Sequence, residues 1–249
     1  MRRLTSGAIH ASGRSRNSER GGWDELAKRV LDVSGAFALL LVFMPILLLC
    51  GLAVKLEGRG PVFYRCKRVG RHHAEFEMLK FRKMRDGASG PRLTGGNDER
   101  FTRVGKTLAR FKLDELPQLI NVLRGEMSLV GPRPEDEMYV ALAHSEFTRI
   151  LEVRPGITGL SQLAFACESE ILDRAADRHE CYVNRLLPQK IALDQLYAAE
   201  RTLGMDVRVV FWTVVAVVMR RQVAVYRDSG RLGRRRRMTP AAMGSLEIG

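Results

Sequence analysis

Three features of this 249-residue chain predict a mainly helical α+β fold with an N-terminal membrane element. An uncharged apolar run extends from Val33 to Val54, a strand-like alternating stretch follows it, and later segments place apolar residues at helical spacing. Apolar residues make up 45% and charged residues 28%, which excludes wholesale disorder and fibrous repeats.

The net charge of +13 is concentrated at the two ends. Residues 1–22 and residues 227–249 each carry a net +4 and read as disordered basic arms, solvated or tethered to an anionic lipid surface. With the excess in the arms, no nucleic-acid partner is assigned to the body. Cys50, Cys66, Cys167 and Cys181 contain no CxxC pair, which fits a reduced, cytosol-facing protein. His72 and His73 read as a solvated turn.

Residues 23–57 are the expected membrane element. Trp23–Leu31 starts a helix with Asp24 in its first turn, and the 22 uncharged residues that follow are long enough, at ~1.5 Å each, for a bilayer core of about 30 Å. Two features argue against a simple span. Pro45 near the centre removes a backbone hydrogen bond and clashes with the preceding turn. Five cations precede the run (Arg14, Arg16, Arg20, Lys28, Arg29) and six follow it (Lys55, Arg59, Arg65, Lys67, Arg68, Arg71), so the charge asymmetry of a spanning helix is missing. Both ends on the cytoplasmic side, with a helix-break-helix re-entrant hairpin broken near Met44 and Pro45, is the economical reading.

Residues 58–226 are the expected catalytic domain. Gly58–Pro61 is a turn, and Val62–Val69 with Glu75–Phe81 form a small β-hairpin. Polar, glycine-rich residues 86–98 predict a mobile loop with the character of a lid. One helix ends near Phe111, and a second runs from about Glu115 to Arg124, closed by Gly125, with Leu116, Leu119, Ile120 and Leu123 on one face. Met138–Leu151 and Leu172–Leu187 read as helical, and Arg154–Gly159 as a tight loop. Val209–Met219 is too short to span and is flanked by arginines, which predicts an amphipathic interfacial or core-packed helix.

Gly105-Lys106-Thr107 imitates the end of a phosphate-binding loop, but Arg100 occupies the position that motif reserves for glycine. Asp114 and Glu115 are a more substantive pair: two carboxylates at a helix start, in the favourable field of free N–H groups. A helix cap would look the same. Arg133, locked between Pro132 and Pro134, and Arg154, locked before Pro155, could grip phosphate oxygens, as could Lys80 and Arg82 at the hairpin end. Ionised acids with fixed cations suit Mg²⁺-assisted phosphoryl transfer.

KFRKM (Lys80–Met84), LDELPQLINVLRGEMSLVGPRP (Leu113–Pro134), RPGITGLSQ (Arg154–Gln162) and LDQLYAAERTLGMDVRVVFWTV (Leu193–Val214) resemble the bacterial sugar transferases, the monotopic phosphoglycosyl transferases. The resemblance covers roughly residues 24–220. It implies transfer of a sugar-1-phosphate from a UDP-sugar to undecaprenyl phosphate with release of UMP. That reaction initiates exopolysaccharide, O-antigen or glycoconjugate synthesis at the cytoplasmic face of the bacterial inner membrane. It further implies Asp114 as nucleophile through an aspartyl-phosphosugar, and Glu115 with Asp114 as holders of Mg²⁺. Lys80, Arg82, Arg110, Gln118, Arg133 and Arg154 become substrate contacts, and Pro45 the membrane break. A homodimer, the sugar and the pathway stay open.

The chain departs from the family pattern at three places: Lys83 stands where Thr is usual, Ala109-Arg110 replaces a basic pair, and LAFACESE (residues 163–170) replaces an Asn-Gly-Arg type motif. Lys112 is a candidate substitute cation. Two other classes compete: a catalytically silent membrane adapter of a glycan-assembly complex, and a membrane-tethered nucleic-acid binder using Arg234–Arg237.

Overall fold

The computed structural model describes residues 22–91, 93–96, 98–219, 223–226 and 229–234. The fold is mostly helical with three two-stranded sheets among the described residues. The expected arms lie largely outside these residues, at 1–21 and 235–249.

Helix α1 runs from Gly22 to Glu57 without interruption at Pro45, with Asp24 and Glu25 in its first turn and Lys55 in its last. One narrow stripe faces protein: Asp32, Ala36, Cys50 and Val54 are buried, and Leu40 and Leu47 pack between them. Spacings of three and four keep these residues on one side. The opposite side leaves Leu41, Val42, Leu48, Leu49 and Leu52 more than half exposed. Only 11% of the most apolar window is buried, so this is a helix long and apolar enough for a membrane and not the core helix of the domain.

Strands β1 (Phe63–Val69) and β2 (Glu75–Phe81) form the expected antiparallel hairpin, in register from Phe63↔Phe81 to Val69↔Glu75. Their link is a tight turn over Arg71–His73, in which His72 and His73 adopt positive φ. Cys66, Phe76 and Met78 enter a core with Ala36, Leu119, Val122 and Met127. Helix α2 (Arg103–Arg110) is capped by Thr102, whose hydroxyl accepts the Gly105 N–H at 2.9 Å. A 3-10 turn covers Leu113–Glu115, and helix α3 spans Gln118–Arg124. The second helix therefore starts three residues later than expected, because Pro117 has no N–H to continue the turn. Gly125 closes it at φ 87, as the sequence predicts.

The tight loop expected at Arg154–Gly159 contains a strand instead. Strand β3 (Ser128–Val130) pairs in parallel with β4 (Gly156–Thr158). The pairing continues past the strand ends: Gly131 N–H donates to Thr158 at 2.9 Å and Gly156 N–H to Pro132 at 2.8 Å. A Cβ on Gly156 would stand 2.0 Å from the Gly131 nitrogen, so only glycine permits this approach.

The helix expected over Met138–Leu151 is two, α4 (Glu137–Leu142) and α5 (His144–Ile150), parted by the non-helical Ala143. Helices α6 (Leu160–Ala164) and α7 (Glu168–Arg174) follow. The expected helix Leu172–Leu187 breaks at Ala175, and Asp177 caps α8 (Arg178–Cys181) by accepting the N–H groups of His179 and Glu180. A π-turn over Tyr182–Leu186 leads into α9 (Leu187–Glu200). Helix α10 (Leu203–Val218) sets Val209 into a core with Val130, Leu160, Leu193 and Tyr197, and leaves Val207, Phe211, Val214 and Val218 exposed. It is both core-packed and amphipathic. Strands β5 (Val223–Val225) and β6 (Leu232–Arg234) form a last hairpin, which takes in the first part of the C-terminal arm.

Arg82 fastens the end of α1. Its guanidinium donates to the carbonyls of Arg59 (2.6 Å), Gly58 (3.1 Å) and Val54 (3.2 Å), complementing the negative end of the helix. Arg82→Met is expected to lower the unfolding free energy of the detergent-solubilised protein by about 1–3 kcal/mol, whereas Arg85→Met stays within ~0.5 kcal/mol. Denaturant unfolding checks both.

Candidate active site

Four segments converge on one cleft. Strand β2 carries Lys80 next to its last residue and the chain runs on to Lys83; the 3-10 turn supplies Asp114 and Glu115; α3 begins with Gln118; and the turn after β3 carries Arg133. The cleft is narrow and is lined by Lys80, Glu115, Gln118, Arg133, Ile157 and Gln162, with Met78, Pro134 and Gly156 completing it. Parallel pairing of β3 with β4 is what sets the Arg133 turn beside Gly156 and Ile157.

Charge is paired across the cleft. Lys80 Nζ lies 2.9 Å from Glu115 Oε1, and Lys83 Nζ lies 3.5 Å from Asp114 Oδ2. Burial works against an ionised Glu115, but Lys80, Arg133 and Lys112 outweigh it and hold the carboxyl well below the usual range. Burial, helped by Lys80 and Lys112, lowers Lys83 against the opposing pull of Asp114 and Glu115. Asp114 is 2% exposed, its Oδ1 has no hydrogen-bond partner, and it stands just outside the cleft lining.

Arg133 is held by groups the sequence did not single out. Against its burial, the fields of Glu168, Glu115 and Glu135 raise its pKa further and keep it charged. Lys190 Nζ reaches Glu135 at 2.9 Å and Glu168 at 3.3 Å. The Tyr182 hydroxyl, pushed far up by burial and by Glu135, stays protonated and donates to Glu135 at 2.8 Å. These partners are separated by 47 and 55 residues, so no local pattern announces them. Glu168 does belong to the stretch that departs from the family pattern.

The other expected contacts lie elsewhere. Arg82 ties down α1 as described. Arg110 is exposed at the end of α2, its guanidinium 5.9 Å from the Phe111 ring centre. Arg154 donates its Nε–H to Gly125 at 3.0 Å and lines a second cleft that shares no residue with the first. Lys80, Glu115, Gln118 and Arg133 meet in one place, with Asp114 adjoining.

The family described as bacterial sugar transferase matches residues 23–220. A UDP-glucose:undecaprenyl-phosphate glucose-1-phosphate transferase of Caulobacter vibrioides is 40% identical over 200 residues, covering 78% of this chain and 70% of that protein. A UDP-N-acetylgalactosamine-undecaprenyl-phosphate N-acetylgalactosaminephosphotransferase of Aeromonas hydrophila is 35% identical, covering 77% of this chain and 43% of that protein. The exopolysaccharide production protein PSS of Rhizobium leguminosarum bv. phaseoli is 36% identical, covering 79% of this chain and 98% of that protein. The chain thus spans less than half of one relative and nearly all of another.

Asp194 is buried, and burial raises its carboxyl from 3.8 to about 7 against the opposing influence of Ser161 and Lys190. A carboxyl raised on folding contributes stability that is complete below its unfolded value of 3.8 and is lost as pH rises through about 7. Asp194→Asn is therefore expected to stabilise the protein at pH 8 by something on the order of 2–4 kcal/mol, and by less at pH 5. Unfolding midpoints of both proteins at the two pH values provide the check.

Proposed function

The chain belongs to the bacterial sugar transferase family, and on that premise we propose that it moves a sugar-1-phosphate from a UDP-sugar to undecaprenyl phosphate, releasing UMP. The observation that carries this reading is the buried Asp114, with one oxygen unpartnered, beside a cleft that opposes Glu115 with Lys80 and Arg133. A silent adapter would have no use for so expensive a concentration of buried charge.

In the first step an Asp114 carboxylate oxygen attacks the β-phosphorus of the donor. The bond from that phosphorus to the bridging oxygen breaks, and the oxygen leaves with UMP. In the second step a phosphate oxygen of undecaprenyl phosphate attacks the same phosphorus and the Asp114 carboxylate is released. Arg133 and Lys80 counter the charge of the diphosphate. Lys83 now covers Asp114; an arriving diphosphate competes for its ammonium group and opens a path to the carboxylate. Two neighbouring carboxylates, one with a free oxygen, fit Mg²⁺, which binds through one or two carboxylates together with substrate phosphates. Among the described residues there is no cluster of three or more metal-ligating side chains that would hold it alone. When bound, Mg²⁺ would neutralise phosphate charge and aid departure of UMP. The names of the relatives give two different sugars, glucose and N-acetylgalactosamine, so the donor sugar is left to assay.

Helix α1 is the membrane element of this reading, entering and leaving by the cytoplasmic face. Its first half is tied to the domain by Asp32, which accepts from Ser128 and from the Leu129 N–H, and its second half by Cys50 and Val54 against Phe81 and Leu108. The stretch between the anchored residues Ala36 and Cys50 rises only about 21 Å, short of a bilayer core of about 30 Å. That argues against a span; because α1 is continuous through Pro45 in the structure, entry and exit by one face requires the helix to bend at Pro45 in the bilayer. The basic arms, the anionic-lipid contact, the inner-membrane location and the domain limits belong to the same proposal.

UMP release from a panel of UDP-sugars, with undecaprenyl phosphate and Mg²⁺ in detergent, tests the reaction. One sugar is expected to dominate, Asp114→Asn to lose at least ~10³-fold, and Arg133→Ala about 10²-fold. Retained turnover in Asp114→Asn would refute the covalent role. For topology, cysteines placed at Gly22 and Gly58 should both resist a membrane-impermeant reagent applied from outside intact cells; labelling of either one would mean a span.

A further inference from the structure

Arg154, a candidate donor contact by sequence, lies instead in a second, shallow cleft at the head of α1. There it stands with Arg29 over the C-terminal turn of α3. Arg29 Nη2 donates to the Leu123 carbonyl at 3.2 Å and Arg154 Nε to the Gly125 carbonyl at 3.0 Å. Each guanidinium has five N–H donors and this capping uses one. Arg29 Nη1 is buried without a hydrogen-bond partner, and neither arginine has an ion pair among the described residues.

The carboxylates nearby are engaged with other groups. Asp32 takes Lys28, the Ser128 hydroxyl and the Leu129 N–H; Glu25 takes Arg201; Asp206 takes Lys28 and the Tyr197 hydroxyl. Two guanidiniums are thus immobilised by one carbonyl each at a cleft that is also lined by Lys28 and Arg201 and by Glu25 and Asp32, the two carboxylates being paired with Arg201 and Lys28 rather than with Arg29 or Arg154. Immobilised forks suit an oxyanion that accepts several N–H groups at once, and a phosphate group matches that geometry. Arg29 precedes the uncharged run that begins at Val33 by only four residues, which puts the cleft at the depth where lipid phosphates sit.

We propose that Arg29 and Arg154 form a second phosphate-binding site, separate from the donor cleft, for a phosphate ester at the membrane surface. The ester is borne by a membrane lipid or by a soluble molecule, and the inference goes beyond the transfer reaction itself. It is tested on the full chain in nonionic detergent, with ionic strength held constant by chloride. Inorganic phosphate is expected to raise the unfolding midpoint saturably in the wild type and in Arg133→Gln, while Arg29→Gln/Arg154→Gln responds at least tenfold more weakly. A parallel arm measures binding to phosphatidylcholine nanodiscs containing phosphatidic acid. A tenfold loss in the double variant confined to the nanodiscs assigns the phosphate to lipid; a loss in both arms admits the soluble ester. Should the double variant fail to fold, Arg154→Gln alone must show the weakened response. Equal responses of wild type and variants in both arms, or a response abolished by Arg133→Gln and kept by the double variant, would overturn the site. Neither readout uses turnover, so failure of the transfer reaction leaves it intact.

Discussion

A buried carboxylate stays ionised only if cations are fixed around it, and the fold around Glu115 and its neighbour Asp114 is arranged to supply those cations. Lys80 arrives from the hairpin, Lys83 from the segment after it, and Arg133 from a turn held by parallel strand pairing. Arg133 needs its own support, which Glu135 provides from the same loop and Glu168, Tyr182 and Lys190 provide from 35 to 57 residues farther along the chain. Each ring of charge therefore requires the next. The result is a set of fixed cations beside the Asp114–Glu115 pair, the electrostatic arrangement that the proposed transfer from a diphosphate requires.

The same domain grips both halves of an apolar helix. An enzyme that draws its donor from water and its acceptor from lipid gains from sitting at the boundary. On the proposed reading, the exposed apolar faces on α1 and α10 provide that seat. Polar anchors at Asp32 and Arg82 fix where α1 meets the domain.

Local patterns carried much of the architecture. The hairpin is legible because turn residues separate two alternating runs, and the end of α3 because Gly125 stops it. The β3–β4 pair is not legible: three-residue strands give no periodicity, and their pairing depends on Gly131, Gly156 and Gly159 meeting across the fold. Within the site, adjacency made Asp114 and Glu115 visible and proline locking made Arg133 visible. The same locking in Arg154-Pro155 pointed to a phosphate grip, and the side chain turned to a different cleft. A stiff backbone fixes where an arginine is rooted, but long-range packing decides which cavity its five-donor fork enters. Arg82 illustrates this further, since the carbonyls it serves belong to residues 54, 58 and 59.

The central claim is that Asp114 becomes bonded to phosphorus before any lipid acceptor takes part. Intact-mass and peptide mass spectrometry after incubation with the preferred UDP-sugar and Mg²⁺, in the absence of undecaprenyl phosphate, tests it most directly. The account predicts one added sugar-phosphate per chain, located on the peptide containing Asp114 and discharged when the acceptor is added. An unmodified chain that nevertheless turns over when both substrates are present would contradict it.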